Sequence, residues 1–189
     1  MISAKAGDEL RIETDAGLRS CRINSIRTDA GYSVDVTTGM GIPSARPKTV
    51  TLADGRTIDG VAVSMGNPHF VIVVDEEDFS VVGERWEKVG AQICTHPEFP
   101  NQTNVEFVRI RSGSEIEIRI FERGVGPTTS SGTGTSASAT AAIAFQNCSS
   151  PLRVVAPGGA QSVSWSGSGT ELELTGPATL IARGEAWLG

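Results

Sequence analysis

One stretch limits what this chain can fold into more than any other. From Thr133 to Phe145 the sequence reads TGTSASATAAIAF, without a charged side chain and with almost nothing large. A helix of this composition over 133–146 has no face suited to water, whereas an ordinary surface helix shows an apolar stripe opposite a charged one. It should be a thin helix buried inside a sheet, in a chain of 189 residues. That length amounts to one domain, or one plus a fragment, at roughly 150 residues per domain. With 39% hydrophobic residues and 22 glycines, the bulk of the chain is globular rather than disordered.

The flanking segments are suited to forming a wall. Short runs of alternating apolar and polar residues, broken by Gly, Pro and Asp, predict strands at Glu9–Thr14, Leu18–Ile26, Tyr32–Val36, Thr49–Leu52 and Ile58–Met65, with an apolar strand at Phe70–Val74. Further strands are expected at Asn104–Arg111, Ile116–Glu122, Leu152–Ala156, Ser162–Trp165, Glu171–Leu174 and Thr179–Ala182. A second helix is expected where Val81, Val82, Arg85, Trp86, Val89 and Ile93 recur at helical spacing. Asp78 or Ser80 would cap it, and Glu84 stands four residues before Lys88.

Chemistry concentrates where the chain enters the uncharged helix. Glu122-Arg123-Gly124-Val125-Gly126 runs through a glycine-rich loop to Ser131-Gly132-Thr133-Gly134. Unpaired amides and the helix dipole make such an entry an anion site. Between Glu122 and Glu171 there is no Asp or Glu, while Arg123 and Arg153 fall inside that window, so the expected guest is a carboxylate or a phosphate. Gly132-Thr133-Gly134-Thr135-Ser136-Ala137 matches the dinucleotide fingerprint G-x-G-x-x-A, but the acidic residue required about 20 positions later is missing, and that reading is rejected. Cys94, His96 and Glu98 alternate without a second ligand pair, and Pro97 interrupts them, so no metal site is expected. His69, after Met65-Gly66-Asn67-Pro68 at the mouth of an apolar strand, and Asn104, at a strand start, are candidate ligand contacts.

Charge and cysteine usage exclude other classes. Sixteen basic against 22 acidic side chains give a net charge of −6 without a basic cluster, which excludes a nucleic-acid partner. The longest apolar run, Phe70–Val74, excludes a membrane span, and the start lacks a signal-peptide core, so the expected location is cytoplasmic. Cys21, Cys94 and Cys148 are read as free buried thiols.

Taken in order, Met65-Gly66-Asn67-Pro68-His69, then Phe99-Pro100 through Asn104-Val105-Glu106-Phe107, then Glu122 to Gly126 running into Ser131-Gly132-Thr133-Gly134, and finally Pro157-Gly158-Gly159 resemble the diaminopimelate epimerase family, from about Gly7 onward. The resemblance implies an α+β fold in which a curved mixed sheet wraps around a central helix. One domain, 47–182, would be complete, and 1–46 would form part of a second that 183–189 rejoin. It also implies chemistry without a cofactor: two cysteines act as base and acid on opposite faces of an amino-acid α-carbon. Carried onto this chain, the family pattern makes Asn67, Asn104 and Arg123 substrate contacts, with Arg123 on a distal carboxylate. Gly132 and Thr133 would offer amides to the α-carboxylate, and His69 and Glu122 would stand beside the thiols.

The sequence departs from the family at the chemistry itself. Ser131 occupies the position of the second catalytic cysteine, Ser136 and Pro127 also differ, and the segment with the first cysteine has no counterpart. A serine hydroxyl is a far weaker acid than a thiol. Catalysis would then fall to Ser131, His69 and Glu122. The expectation is a truncated diaminopimelate epimerase homologue of lysine biosynthesis with weakened or lost activity. The alternatives are a non-catalytic binder of a small amino acid or dicarboxylate, and a one-base isomerase or dehydratase of the same superfold. Missing strands would leave a sheet edge uncovered, so a homo-oligomer or a separate N-terminal partner is expected.

Overall fold

A computed structural model describes residues 5–14, 17–28, 32–182, 184–185 and 187. Positions 183, 186, 188 and 189, where the chain was expected to rejoin its first part, lie outside the described residues. Its elements are β1 (Glu9–Thr14), β2 (Gly17–Arg27), β3 (Ser33–Gly39), β4 (Ser44–Thr51), β5 (Thr57–Ser64), β6 (Pro68–Val73), α1 (Trp86–Cys94), β7 (Asn104–Ser112), β8 (Glu115–Glu122), β9 (Gly126–Thr128), α2 (Gly132–Phe145), β10 (Leu152–Ala156), β11 (Gly159–Ser164) and β12 (Glu173–Thr179).

Two compact units divide the chain, one of residues 1–39 with 175–189 and one of residues 40–174. In the first, β1, β2 and β3 form an antiparallel meander with the end of β12 beside β3. Among its described residues Ile23 and Cys21 are the buried apolar ones, and Thr37 and Thr175 share a 2.7 Å hydroxyl hydrogen bond.

The larger unit carries the enclosed helix. Its strands run in the order β11-β10-β8-β7-β6-β5-β4, with β9 folded back on β8. The sheet is mixed, with β6 parallel to β7 and β10 parallel to β8. Strict alternation on the central strands separates two cores. Val61, Val63, Val71, Val108, Ile116, Ile118 and Ile120 pack with Ala137, Ala139, Ala141 and Ala142 of α2 on one face. Phe70, Ile72, Val105 and Phe107 meet Phe79, Val89 and Ile93 on the other. Each fully buried Ile contributes roughly 1.5–3 kcal/mol of transfer free energy. Every residue of α2 from Gly134 to Ala142 is buried, which is why only small side chains occur there.

The expected helix start and the two last expected strands need correction. The helix expected near Val81 begins only at Trp86, with Arg85 as its cap residue in extended geometry. Phe79 and Val82 have positive φ values of 63° and 48°, and Val81 bridges Glu84, so this segment is a tight turn that drives Phe79 into the core. The valines there are spaced by turn packing, which mimics helical periodicity. In place of the strands expected at Glu171–Leu174 and Thr179–Ala182 there is one strand, β12 (Glu173–Thr179), which runs across the gap between them with Pro177 inside it, and 171–172 and 180–182 are not strand. The short β9 was not anticipated, because three residues carry no periodic signal. Among the described residues no helix is long and apolar enough to cross a membrane.

Candidate functional site

The site grows from one register relation. In the parallel ladder, His69 of β6 lies opposite Asn104 of β7, and Val71 lies opposite Glu106. Alternation therefore puts His69, Asn104 and Glu106 on the face covered by α2. Phe121 of β8 is packed toward Gly90 of α1, so its neighbour Glu122 belongs to the α2 face as well. The ends of three strands thus deliver four polar side chains to the entry of the uncharged helix.

His69 and Glu106 form the buried centre. Their side chains have no solvent exposure, and His69 Nδ1 lies 2.7 Å from Glu106 Oε1. Among the described residues Glu106 Oε2 has no hydrogen-bond partner. Burial pushes the Glu106 carboxyl above the usual range and nearby Glu122 adds to the effect, while His69 opposes it. On the other side of the ring, His69 Nε2 is 3.0 Å from Asn67 Oδ1, and the Asn67 amide donates to Thr133 Oγ1 at 3.4 Å. A chain of polar contacts therefore runs from Glu106 through His69 and Asn67 to the second residue of α2.

Helix α2 closes over this centre by its glycines. A Cβ on Gly134 would stand 3.0 Å from Glu106 Oε1 and 3.3 Å from Ser131 Oγ, so glycine here lets the helix settle against the carboxyl. Ser131 is the N-cap: its hydroxyl accepts from Gly134 N at 3.2 Å, and Thr135 N donates to Ser131 O at 2.9 Å. The amides of Gly132 and Thr133, in the first turn, have no intrahelical acceptor. The entry is held in place from behind, because Thr135 donates to Gln161 at 2.8 Å and Gly158 N donates to Thr129 O at 2.8 Å. A side chain at Gly158 would come within 2.9 Å of that same carbonyl, which accounts for the glycine in the Pro157-Gly158-Gly159 motif.

A cleft of about 820 Å³ opens beside this centre, with Asn67 and His69 at its wall and Arg46, Lys48, Asn101 and Arg123 among its polar lining. Lys48 is paired with Glu98, and Arg123 donates to Asn101 O at 2.7 Å. The structure thus brings Asn67, His69, Thr133 and Ser131 together around Glu106, with Arg123 at the cleft. Asn104 is engaged locally: its Oδ1 accepts from Arg123 N at 2.9 Å and ties β7 to the turn after β8. Glu122 pairs with Gly126 in the tight β8–β9 hairpin, where Gly124 and Gly126 have positive φ. The cysteines lie elsewhere: Cys94 and Cys148 are buried in the two cores and Cys21 in the smaller unit. His96, considered above as a metal ligand, has Nε2 2.9 Å from Thr51 O.

Glu106 and Gln161 are the polar residues that pattern reading passed over. A signal for Glu106 existed, since it interrupts the apolar run Val105–Val108 at a position covered on both faces.

The fold and site define a class: a mixed sheet wrapped about a small-residue helix whose N-terminus meets a polar cluster. Solved structures share that fold, including a probable proline racemase from Agrobacterium radiobacter K84 (TM-score 0.69, 15% identity, covering 95% of this chain and 61% of that one). A hydroxyproline epimerase from Agrobacterium vitis is comparable (TM-score 0.67, 16% identity, 95% and 59% covered). At the sequence level, the family model for diaminopimelate epimerase matches residues 61–181. A diaminopimelate epimerase of Pseudomonas syringae pv. tomato is 37% identical over 191 residues, covering 97% of this chain and 67% of the relative. The chain belongs to the diaminopimelate epimerase family, and it spans about two thirds of the length of the curated relatives it matches.

Proposed function

We propose that the chain binds diaminopimelate, or a closely similar small amino-acid dicarboxylate, and that its proton exchange at the α-carbon is weak. The observation that carries this reading is Ser131 at the N-cap of α2, where the family pattern has a catalytic cysteine. Backbone amides of Gly132 and Thr133 supply the carboxylate site whatever side chain caps the helix, so binding survives the exchange of thiol for hydroxyl. Catalysis does not survive intact, because a hydroxyl without an adjacent base is seldom ionised near neutrality. Among the described residues no basic nitrogen is within hydrogen-bond range of Ser131 Oγ; its contact is the amide of Gly134.

In this reading Arg123 faces the distal carboxylate across the cleft, and Asn67 and Asn104 orient the substrate. His69 and Glu122 are the remaining acid-base groups. The reaction uses no cofactor, serves lysine biosynthesis, and takes place in the cytoplasm. Exposed Leu18 in the smaller unit and Ile181 near its end favour self-association or a partner polypeptide, and light scattering is expected to give a mass above that of a monomer.

The functional test is proton NMR of LL-diaminopimelate with the purified chain in deuterated buffer. Slow loss of the α-proton signal, abolished in His69→Ala, supports a weakened epimerase. Saturable binding without exchange supports the second reading, a carboxylate-binding module, which the intact helix entry favours. Neither exchange nor binding would overturn both.

A further inference from the structure

The contacts of His69 fix where its protons lie. As oriented, Asn67 uses its amide nitrogen on Thr133 Oγ1 and turns Oδ1 to His69 Nε2. An amide oxygen only accepts, so Nε2 is the donor and carries a proton. Nδ1 lies 2.7 Å from Glu106 Oε1, a distance that requires a proton between these atoms too. The pair therefore holds two protons and is neutral overall. Burial argues the same way: with both side chains at zero exposure and Oε2 without a partner among the described residues, a net negative pair would be an isolated buried charge.

We propose that Glu106 is a positioning residue that keeps His69 in the form with a proton on Nε2, so that His69 faces the cleft as an acid rather than as a base. Glu106 stands within the Asn104-Val105-Glu106-Phe107 motif, but the sequence alone assigns it no role. When a bound molecule displaces Asn67 from Nε2, that N–H bond breaks and the proton goes to the acceptor in the cleft. The proton between Nδ1 and Oε1 then rests on Nδ1, leaving a neutral imidazole and a Glu106 carboxylate. One proton is delivered, and the pair gains one negative charge, next to the positive end of α2 at Gly134. The other charged groups around the pair are Glu122 on the same sheet face and Arg46, Lys48, Glu98 and Arg123 at the cleft, while α2 contributes none.

The significance for catalysis rests on the functional reading above, but the proton positions belong to the chain without ligand and are tested there. Nitrogen-15 NMR of the imidazoles at neutral pH separates His69 from His96. The expected wild-type result is a protonated Nε2 and an Nδ1 that shares a proton. In Glu106→Gln the amide becomes the donor to Nδ1, so the Nδ1 resonance moves downfield by tens of parts per million while Nε2 stays protonated. In Asn67→Ala the Nε2 proton loses its acceptor and exchanges with solvent at least several-fold faster. A wild-type His69 with an unprotonated Nε2 would overturn the proposal, and this result needs no variant to fold. An Nδ1 resonance unchanged in a folded Glu106→Gln chain would overturn it as well. Failure of diaminopimelate to bind would leave these spectra unaffected, so the two readings fail separately.

Discussion

Substituting Ser131→Cys places a thiol at the N-cap of α2 and measures directly what that helix end does to an ionisable group. A free thiol has a pKa of about 8.5. Helix N-termini stabilise a partly buried anion by up to about 2 kcal/mol, equivalent to roughly 1.5 pH units. The Glu122 carboxyl, on the same sheet face, opposes part of this effect, whereas the neutral His69–Glu106 pair does not. The expected midpoint for the thiol introduced at position 131 is therefore about 7–8, which makes a substantial fraction thiolate at pH 7.5. The assay is the pH dependence of alkylation by iodoacetamide, with mass spectrometry assigning the site. Cys21, Cys94 and Cys148 serve as internal references because all three are buried, and burial pushes the Cys148 thiol up. The same variant is expected to speed α-proton exchange of LL-diaminopimelate. A midpoint at or above about 8.5, or alkylation no faster than at the buried cysteines, would refute the claim that this helix entry stabilises anions.

Three further outcomes follow from the packing. Ser131→Ala removes the acceptor for Gly134 N and is expected to cost about 1 kcal/mol, lowering Tm by roughly 2–4 °C in a melt, whereas Ser131→Asp keeps the cap and most of the stability. Gly90→Ala improves helix propensity by about 1 kcal/mol, but its Cβ would stand 2.8 Å from two atoms of Phe121; overpacking of about 1–3 kcal/mol should dominate, and denaturant titration showing a stabilised variant would contradict the observed packing. Burial pushes the Glu117 carboxyl up, but Arg111 and Arg119 hold it below its ordinary value, so it stabilises the fold above its unfolded pKa and ceases to as pH falls through its folded one. Glu117→Gln should therefore lower Tm near neutrality, with the gap to the wild type closing only as pH falls below the ordinary carboxylate range, and a gap independent of pH would contradict the pairing.

The sequence made the enclosed helix legible because composition alone decides it: a charge-free run of Gly, Ser, Thr and Ala cannot face water, and the structure buries it from Gly134 to Ala142. Strands such as Glu9–Thr14 and Leu152–Ala156 were readable to the residue, since alternation is a local property and turn residues bound them. Local pattern failed where tertiary packing dictates the backbone. The Phe79–Gly83 turn takes positive φ to bury a phenylalanine, so valines at helical spacing gave a false start to α1. At the site, the motif residues could be listed from sequence, but their connection could not. That His69 meets Glu106 depends on the parallel register of β6 and β7, strands separated by the intervening α1, and no spacing rule reports that. The part played by Gly158 is likewise a contact between a distant turn and the loop at Thr129.

We propose that the entry of α2 in this chain is a ready-made carboxylate site beside the His69–Glu106 pair. Titrating the nitrogen-15-labelled chain with LL-diaminopimelate and following the backbone amides tests it most directly. Saturable shifts are expected at Gly132 and Thr133, accompanied by the side-chain amide of Asn67. Unmoved amides at positions 132 and 133, or shifts confined to the separate hollow at Glu84, Arg85, Glu87 and Lys88, would contradict it.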